Sequence, residues 1–243
     1  MSDILLVPVE GDLDVTTVPR LKERLEAAVE VGCRRVILNM ADVSYIDSMG
    51  VALVFTLARD MRAQGGLLSL SGVGDDVYHT LVVTCLVDFV PVLRRGHVRS
   101  VPVLDPSVRP LWRRVIPVNP MQLGRARDRL SELLSRLPLG KDAVFDMTLA
   151  GGEALGNAID HTCAEGVLLV VLAYPDRVVV EVSDCGEGFE LAQDEEPEQS
   201  LERGRGIKLM RMLADSVTIG TKSTGEGTVV RLVKLLDPMA PSV

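Results

Sequence analysis

A short basic segment rich in proline divides the chain and most constrains what it can fold into. Residues 94–118 carry six arginines, one aspartate and four prolines, which gives this segment a net charge of +5. Proline lacks a backbone donor and disfavours helix at its own position and at the one before it. The segment therefore predicts an extended linker, with a domain boundary near residues 94–112.

The parts on either side of this segment are acidic and long enough for separate cores. Residues 1–93 have a net charge of −6 and residues 119–243 a net charge of −7, within a total of −8. The hydrophobic fraction of 47% argues against disorder. The acidic balance argues against direct nucleic-acid binding, which needs a basic surface.

Cysteine spacing and the apolar runs exclude several further classes of protein. The four cysteines form no C-x-x-C pair, which disfavours both a zinc site and a disulfide scaffold. The chain begins without a signal-peptide pattern. Apolar runs such as Val51–Ala58 are far shorter than the roughly 20 residues that a membrane helix needs. We therefore expect a cytoplasmic protein without membrane contact.

The first part of the chain alternates strand-like and helix-like patterns, which indicates a mostly parallel α/β sheet. The predicted strands cover residues 4–9, 35–38 and 67–70, and the predicted helices cover about 17–31, 49–64 and 75–83.

The second part combines helices with strands joined by tight turns, which predicts an α+β layered domain with an antiparallel sheet. The predicted helices run from Asn119-Pro120 to about 137, from 141 to 162 and from about 206 to 214. The predicted strands cover residues 115–118, 167–174, 177–184, 216–221 and 228–235.

One predicted helix of the second part carries a stripe of polar side chains. Glu153, Asn157 and His161 are spaced i, i+4 and i+8, so they share one helix face. A carboxylate and an amide on one face can orient a water molecule and ligate Mg²⁺, which prefers oxygen ligands. A solvated polar face is the simpler alternative.

Three glycine-containing turns follow this helix. Asp184–Phe189 (DCGEGF) comes directly after a strand, Gly204–Ile207 (GRGI) opens a helix, and Gly225–Thr228 (GEGT) enters the last strand. Glycines permit positive φ and close backbone approach. At a helix N-terminus they also leave N–H groups that can bind phosphate.

The order and spacing of these motifs resemble the GHKL superfamily of ATPases over about residues 112–236. The segments Leu149–His161 and Glu202–Ile207 look most like its anti-sigma-factor serine kinase branch. The resemblance implies an α+β two-layer GHKL ATPase domain over residues 112–236, followed by a short tail, 237–243.

The resemblance also implies roles for individual residues in binding ATP and magnesium. Asn157 would ligate Mg²⁺, and Glu153 would orient or deprotonate the attacking hydroxyl. Phosphoryl transfer needs a cation near the γ-phosphate, and both Arg203 and Arg205 are candidates. The remaining implied contacts are Asp184 to the adenine amino group, Gly186 and Gly188 beside the base, Gly204, Arg205 and Gly206 around the phosphates, Thr228 closing the adenine pocket, and residues 190–203 as the ATP lid.

A second segment that bears on function lies at a predicted strand–loop–helix junction of the first part. Asp42–Val51 (DVSYIDSMGV), with Gly11–Asp14 upstream and Gly65-Gly66 downstream, resembles the STAS domain of anti-sigma-factor antagonists over about residues 3–92. The resemblance implies that Ser48 is the phosphoacceptor. Phosphate at a helix N-terminus adds about −1.5 to −2 charges where the helix tolerates them.

The same segment has a simpler interpretation and two departures from the family pattern. Either Asp47 or Ser48 can cap the following helix, with or without a phosphoacceptor role. Met49 stands where a second Ser or Thr is common, and Asn39 where an Asp is common. If the phosphoacceptor role is lost, the domain is a docking module.

Together the two resemblances predict a fused regulator with a STAS domain (1–93), a basic linker (94–111) and a kinase-like domain (112–236). The second domain is expected to phosphorylate a STAS-type serine, in cis at Ser48 or in trans. The expected partners are a sigma factor or similar regulatory protein, STAS-domain or kinase-domain proteins, and a second copy of the chain.

Two alternatives compete with the kinase hypothesis. One is a non-catalytic binding module that responds to ATP. The other is a component of a histidine-kinase-type system, although no phospho-accepting histidine helix precedes the ATPase-like segment.

Overall fold

The structure, a computed structural model, describes residues 4–30, 33–96, 101–160, 166–186, 203–222 and 227–236. For Ala28 and residues 203–205 it describes the backbone only. The chain forms two compact units, Met1–His97 and Val98–Val243, and each is described by itself.

The N-terminal unit is a parallel sheet with helices, which confirms the predicted α/β fold. Its strands lie in the order β1, β2, β3, β4, and each neighbouring pair is parallel. The elements in chain order are β1 (Ile4–Pro8), α1 (Val18–Glu30), β2 (Arg35–Asn39), α2 (Ser48–Ala63), β3 (Leu67–Val73), α3 (Asp75–Val83) and β4 (Val92–Arg94).

The core of this unit explains why α2 lies where it does. One face of α2 buries Leu53, Val54, Leu57 and Met61. Each buried side chain of this size contributes about 1.5–3 kcal/mol through removal of apolar surface from water. This packing fixes α2 on the sheet, so its N-terminus lies beyond the carboxyl end of β2, where Ser48 is located.

The C-terminal unit is an antiparallel five-stranded sheet with helices, which confirms the predicted α+β fold. Its strand order is β5, β6, β7, β9, β8, and every neighbouring pair is antiparallel. The elements in chain order are β5 (Trp112–Val118), α4 (Leu123–Leu134), α5 (Lys141–Asp160), β6 (Val167–Ala173), β7 (Arg177–Ser183), α6 (Arg203–Leu213), β8 (Ser216–Thr221) and β9 (Thr228–Leu235).

The packing of α5 leaves the polar stripe that contains Glu153 and Asn157 accessible. Ala154, Leu155 and Ala158 are buried, whereas Glu153 and Asn157 remain partly exposed. The buried residues alternate with the polar ones at helical spacing, so burial of one face leaves the other accessible.

Part of the predicted linker is hydrogen-bonded to the C-terminal unit. The Pro102 carbonyl accepts from Arg177 Nη1 at 2.6 Å, and the Leu111 N–H donates to the Ala173 carbonyl at 2.7 Å. The predicted domain bounds stay predictions, and the tail at 237–243 lies outside the described residues.

Candidate functional site

The structure brings Glu153 and Asn157 of α5 together with the first turn of α6. A Cβ atom added at Gly206 would lie 3.2 Å from Asn157 Nδ2 and 3.5 Å from Glu153 Oε2. A Cβ at position 206 would therefore crowd Asn157 and lie in ordinary van der Waals contact with Glu153. Glycine at this position allows α6 to begin directly beside them.

The first turn of α6 is suited to binding an anion. The helix begins at Arg203, three residues earlier than predicted, so Gly204, Arg205 and Gly206 lie within its first turn. The first N–H groups of a helix have no intrahelical acceptor, and the helix dipole favours negative charge there. The backbones of Arg203 and Arg205 are at this end, and their side chains lie outside the described part of the chain.

A second group of residues surrounds Asp184, whose side chain is 7% exposed. Its Oδ1 accepts from the Gly186 N–H at 2.8 Å and from the Thr228 N–H at 3.1 Å. Its backbone N–H donates to the Thr228 carbonyl at 3.1 Å. Among the described residues none donates to Oδ2, which leaves this oxygen to accept from a ligand amine.

Gly227 makes this arrangement possible, although the sequence analysis gave it no role. Its φ is +86°, a conformation that residues with a Cβ rarely adopt. A Cβ at this position would also overlap the Asp184 carbonyl oxygen. The signal that could have found it is the glycine directly before Thr228.

Several predicted site residues cannot be placed. His161, Gly188 and most of the predicted lid (190–202) lie outside the described residues. Arg203, predicted as the last lid residue, is instead the first residue of α6.

The donor set around Asn157 fits Mg²⁺. Within the described ranges no group of three or more His, Cys, Asp or Glu side chains could hold a metal ion. Mg²⁺ in phosphoryl-transfer sites needs only one or two protein ligands, because substrate phosphates and waters supply the rest. The Asn157 amide oxygen, close to the first turn of α6, meets this requirement.

In the N-terminal unit Ser48 is the first residue of α2 and is exposed. Asp47 is the N-cap, since its Oδ1 accepts from the N–H groups of Met49 and Gly50, each at 2.8 Å. No hydrogen bond to the Ser48 side chain occurs within the described residues. Asp47 therefore caps the helix, and the Ser48 hydroxyl is available for modification.

The loop that carries Ser48 is held by the loop between β1 and α1. Asp12 Oδ1 accepts from the Ser44 N–H, the Ser44 hydroxyl and the Tyr45 N–H at 3.0, 2.8 and 2.8 Å. The hydrogen bond from the Ser44 side chain contributes most to lowering the pKa of Asp12 below its ordinary value of 3.8. Asp47 Oδ2 accepts in addition from the Val15 N–H at 3.1 Å.

Apolar side chains are exposed in the same two loops and at the start of α2. Val15 is 60% exposed, Tyr45 59% and Met49 48%. Contiguous exposed apolar groups can mark a protein-interaction site, so these three side chains define a candidate docking surface. The serine is predicted from the sequence, whereas this surface is not.

Two family models match the chain. The model described as a STAS domain matches residues 1–98. The model described as a histidine kinase-like ATPase domain matches residues 116–234. None of the helices in the described part of the chain has the length and apolar character needed to cross a bilayer.

Curated relatives match the two parts separately. A serine-protein kinase, RsbW, of Bacillus pumilus is 30% identical over 138 residues, covering 50% of this chain and 83% of the relative. The RsbW kinase of Bacillus subtilis is 29% identical over 136 residues, with the same coverage. An anti-sigma-B factor antagonist of Staphylococcus aureus is 35% identical over 86 residues, covering 35% of this chain and 80% of the relative.

Proposed function

The chain belongs to both the STAS domain family and the histidine kinase-like ATPase domain family, and from this premise we propose that it is a partner-switching regulator. Its second domain binds Mg·ATP and transfers the γ-phosphoryl group to a STAS-domain serine. The observation that carries the proposal is the approach of Glu153 and Asn157 to Gly206 at the start of α6.

In this proposal ATP is bound at two places, with the adenine at Asp184 and the phosphates at the first turn of α6. Asp184 receives the adenine amino group on Oδ2, with Thr228 and Gly186 fixing the carboxylate through Oδ1. The first turn of α6 receives the phosphates through its unpaired N–H groups. Asn157 holds Mg²⁺, which neutralises phosphate charge when it is bound.

In the proposed reaction Glu153 acts as the general base. The serine oxygen attacks the γ-phosphorus, and its proton passes to the Glu153 carboxylate. A new oxygen–phosphorus bond forms as the bond to the β-phosphate oxygen breaks, giving phosphoserine and ADP. Catalysis of this type depends mainly on positioning and charge neutralisation, which are the roles proposed for these residues.

Phosphate on Ser48 would alter the docking surface without unfolding α2. The added charge lies at a helix N-terminus, which tolerates it, beside the exposed side chains of Val15, Tyr45 and Met49. Such a change would weaken one protein complex and favour another. We propose the cytoplasm as the place of action and, as partners, a sigma factor or similar regulator together with STAS-domain or kinase-domain proteins.

The test is incubation with labelled ATP, both alone and with a separate STAS-domain protein. We expect acid-stable phosphate on a serine, lost in the Glu153→Ala variant. Measured ATP binding without serine phosphate on either protein would contradict the kinase assignment.

Met49 favours a second candidate, because it stands where the STAS pattern commonly has a second hydroxyl residue. In this alternative ATP is a conformational ligand and the STAS domain docks a partner without being phosphorylated. Regulation would then survive in the Glu153→Ala variant. Acid-labile phosphate on the protein would instead indicate histidine phosphotransfer.

A further inference from the structure

Two adjacent glycines in the middle of α5 allow α4 to approach closely, directly before Glu153. A Cβ at Gly151 would overlap the Leu130 side chain, and a Cβ at Gly152 would lie 2.6 Å from Arg127 Nε. Each glycine weakens a helix interior by about 1 kcal/mol relative to alanine. The two glycines therefore make this part of α5 less stable as a helix and leave room for two side chains of α4.

Arg127 lies in this space, and no carboxylate among the described residues forms an ion pair with it. Its Nη2 donates to the Gly152 carbonyl at 3.4 Å. Its Nε is buried and has no hydrogen-bond partner, and no ion pair forms between Arg127 and any residue in the described ranges. A buried donor left unpaired costs about 1–3 kcal/mol, more when it is charged.

Arg127 lies close to the residues of α5 that form the candidate site. Gly152 directly precedes Glu153, and the Cα atoms of consecutive residues are about 3.8 Å apart. The guanidinium therefore lies beside Gly152 of α5, one residue before Glu153. An arginine with an unpaired buried donor, close in the chain fold to a proposed phosphoryl-transfer site, is a candidate for stabilising charge that develops during transfer.

We propose that Arg127 is a further catalytic residue, which binds the transferred phosphoryl group through its guanidinium. This inference rests on the proposed kinase function. The absence of a Cβ at position 152 leaves space for the guanidinium, and the hydrogen bond to the Gly152 carbonyl holds it there. Glu153 still takes the serine proton, and the bonds formed and broken are those given above.

Arg127→Met and Arg125→Met form a matched pair for the test. Both remove one positive charge from α4, and Arg125 is exposed on the same helix. With Mg·ATP and a STAS-domain protein as acceptor, Arg127→Met should lower kcat for phosphoryl transfer about 100-fold or more. The Kd for ATP should change little, and Arg125→Met should behave like the wild type.

A second pair separates this role from helix stability. Gly152→Ala favours helix but displaces Arg127, whereas a Cβ at Gly156 of the same helix would enter open space. We expect Gly152→Ala to lose phosphoryl transfer without a decrease in Tm large enough to explain the loss. Gly156→Ala should retain phosphoryl transfer. Arg127→Lys should recover part of the rate, because lysine restores the charge without the guanidinium geometry.

Three outcomes would overturn the inference. One is an unchanged kcat in Arg127→Met while the wild type transfers phosphate. Another is a raised KM for the protein acceptor with kcat unchanged, which would assign Arg127 to docking. The third is full activity in Gly152→Ala. A wild-type protein that binds ATP but transfers nothing would refute the proposed kinase function itself, which distinguishes the two failures.

Discussion

At the scale of single residues, Asp184 connects two distant parts of the C-terminal unit. One carboxylate oxygen accepts from the N–H groups of Gly186 and Thr228, which are 42 positions apart in the chain. A shared acceptor of this kind holds the two turns at fixed separation. The fixed separation also fixes the orientation of the remaining carboxylate oxygen.

Gly227→Ala is predicted to disrupt this connection. The added Cβ would overlap the Asp184 carbonyl, and the φ of +86° is unfavourable for alanine. We expect a loss of about 1–3 kcal/mol from the backbone conformation alone. ATP affinity, measured by calorimetry, should fall at least tenfold.

Gly220→Ala is the matched control, since a Cβ at Gly220 of β8 meets nothing within 4 Å. If Gly227→Ala bound ATP as the wild type does, the adenine site would have to lie elsewhere.

Asp12 gives a prediction about pH. Hydrogen bonds, chiefly from the Ser44 side chain, lower the pKa of Asp12 in the folded protein below its ordinary 3.8. A lowered pKa stabilises the folded state at pH values above 3.8, and this stabilisation is lost as the pH falls through the folded-state pKa. Asp12→Asn should therefore be less stable than the wild type at neutral pH, and the difference should shrink on acidification.

Urea unfolding from neutral pH to below 3.8 measures this difference. Ser44→Ala removes the main cause of the lowered pKa, so the contribution of Asp12 should be smaller in that background. A difference between Asp12→Asn and the wild type that does not vary with pH would show that the Asp12 carboxylate contributes nothing as an anion.

The sequence predicted some of these residues and missed others for physical reasons. Glu153 and Asn157 share a helix face by local spacing, so their proximity is encoded within one turn. Arg127 meets Gly152 across two helices, 25 positions apart, and no local pattern specifies such a contact.

At the scale of elements, the N-terminus of α2 contains both the cap of the helix and the candidate phosphoacceptor. Asp47 caps α2 through Met49 and Gly50 and also accepts from Val15 of the loop between β1 and α1. The same side chain therefore starts the helix and fixes the loop that presents Ser48.

Asp47→Ala is predicted to destabilise the N-terminal unit by about 0.5–2 kcal/mol through loss of the cap. Asp60→Ala, which changes an exposed aspartate in the last turn of the same helix, should cost less. Chemical denaturation compares the two variants. Equal costs would show that the cap contributes nothing specific.

Most helices and strands were predicted because their apolar residues recur at the period of the element. The three-residue strand β4 was missed, since it is too short to show alternation and lies at the start of the basic segment. The beginning of α6 was predicted at Gly206 instead of Arg203, because two glycines in a first turn look like a loop.

At the scale of the whole molecule, the chain combines on one polypeptide a STAS domain and a histidine kinase-like ATPase domain. If the second domain phosphorylates the first, the acceptor is either the serine of the same chain or that of another copy. Single-site variants can distinguish these routes, because the proposed base and the proposed acceptor lie in different units.

The most direct test of the central claim is intact mass measurement after incubation with Mg·ATP. We predict that the wild type, or a STAS-domain protein mixed with it, gains the mass of one phosphate and that Glu153→Ala catalyses no gain. In a mixture of Ser48→Ala and Glu153→Ala chains, phosphate on the Glu153→Ala chain would indicate transfer in trans. Demonstrated ATP binding with no phosphate on any STAS-domain serine, or an equal gain with Glu153→Ala, would contradict the account.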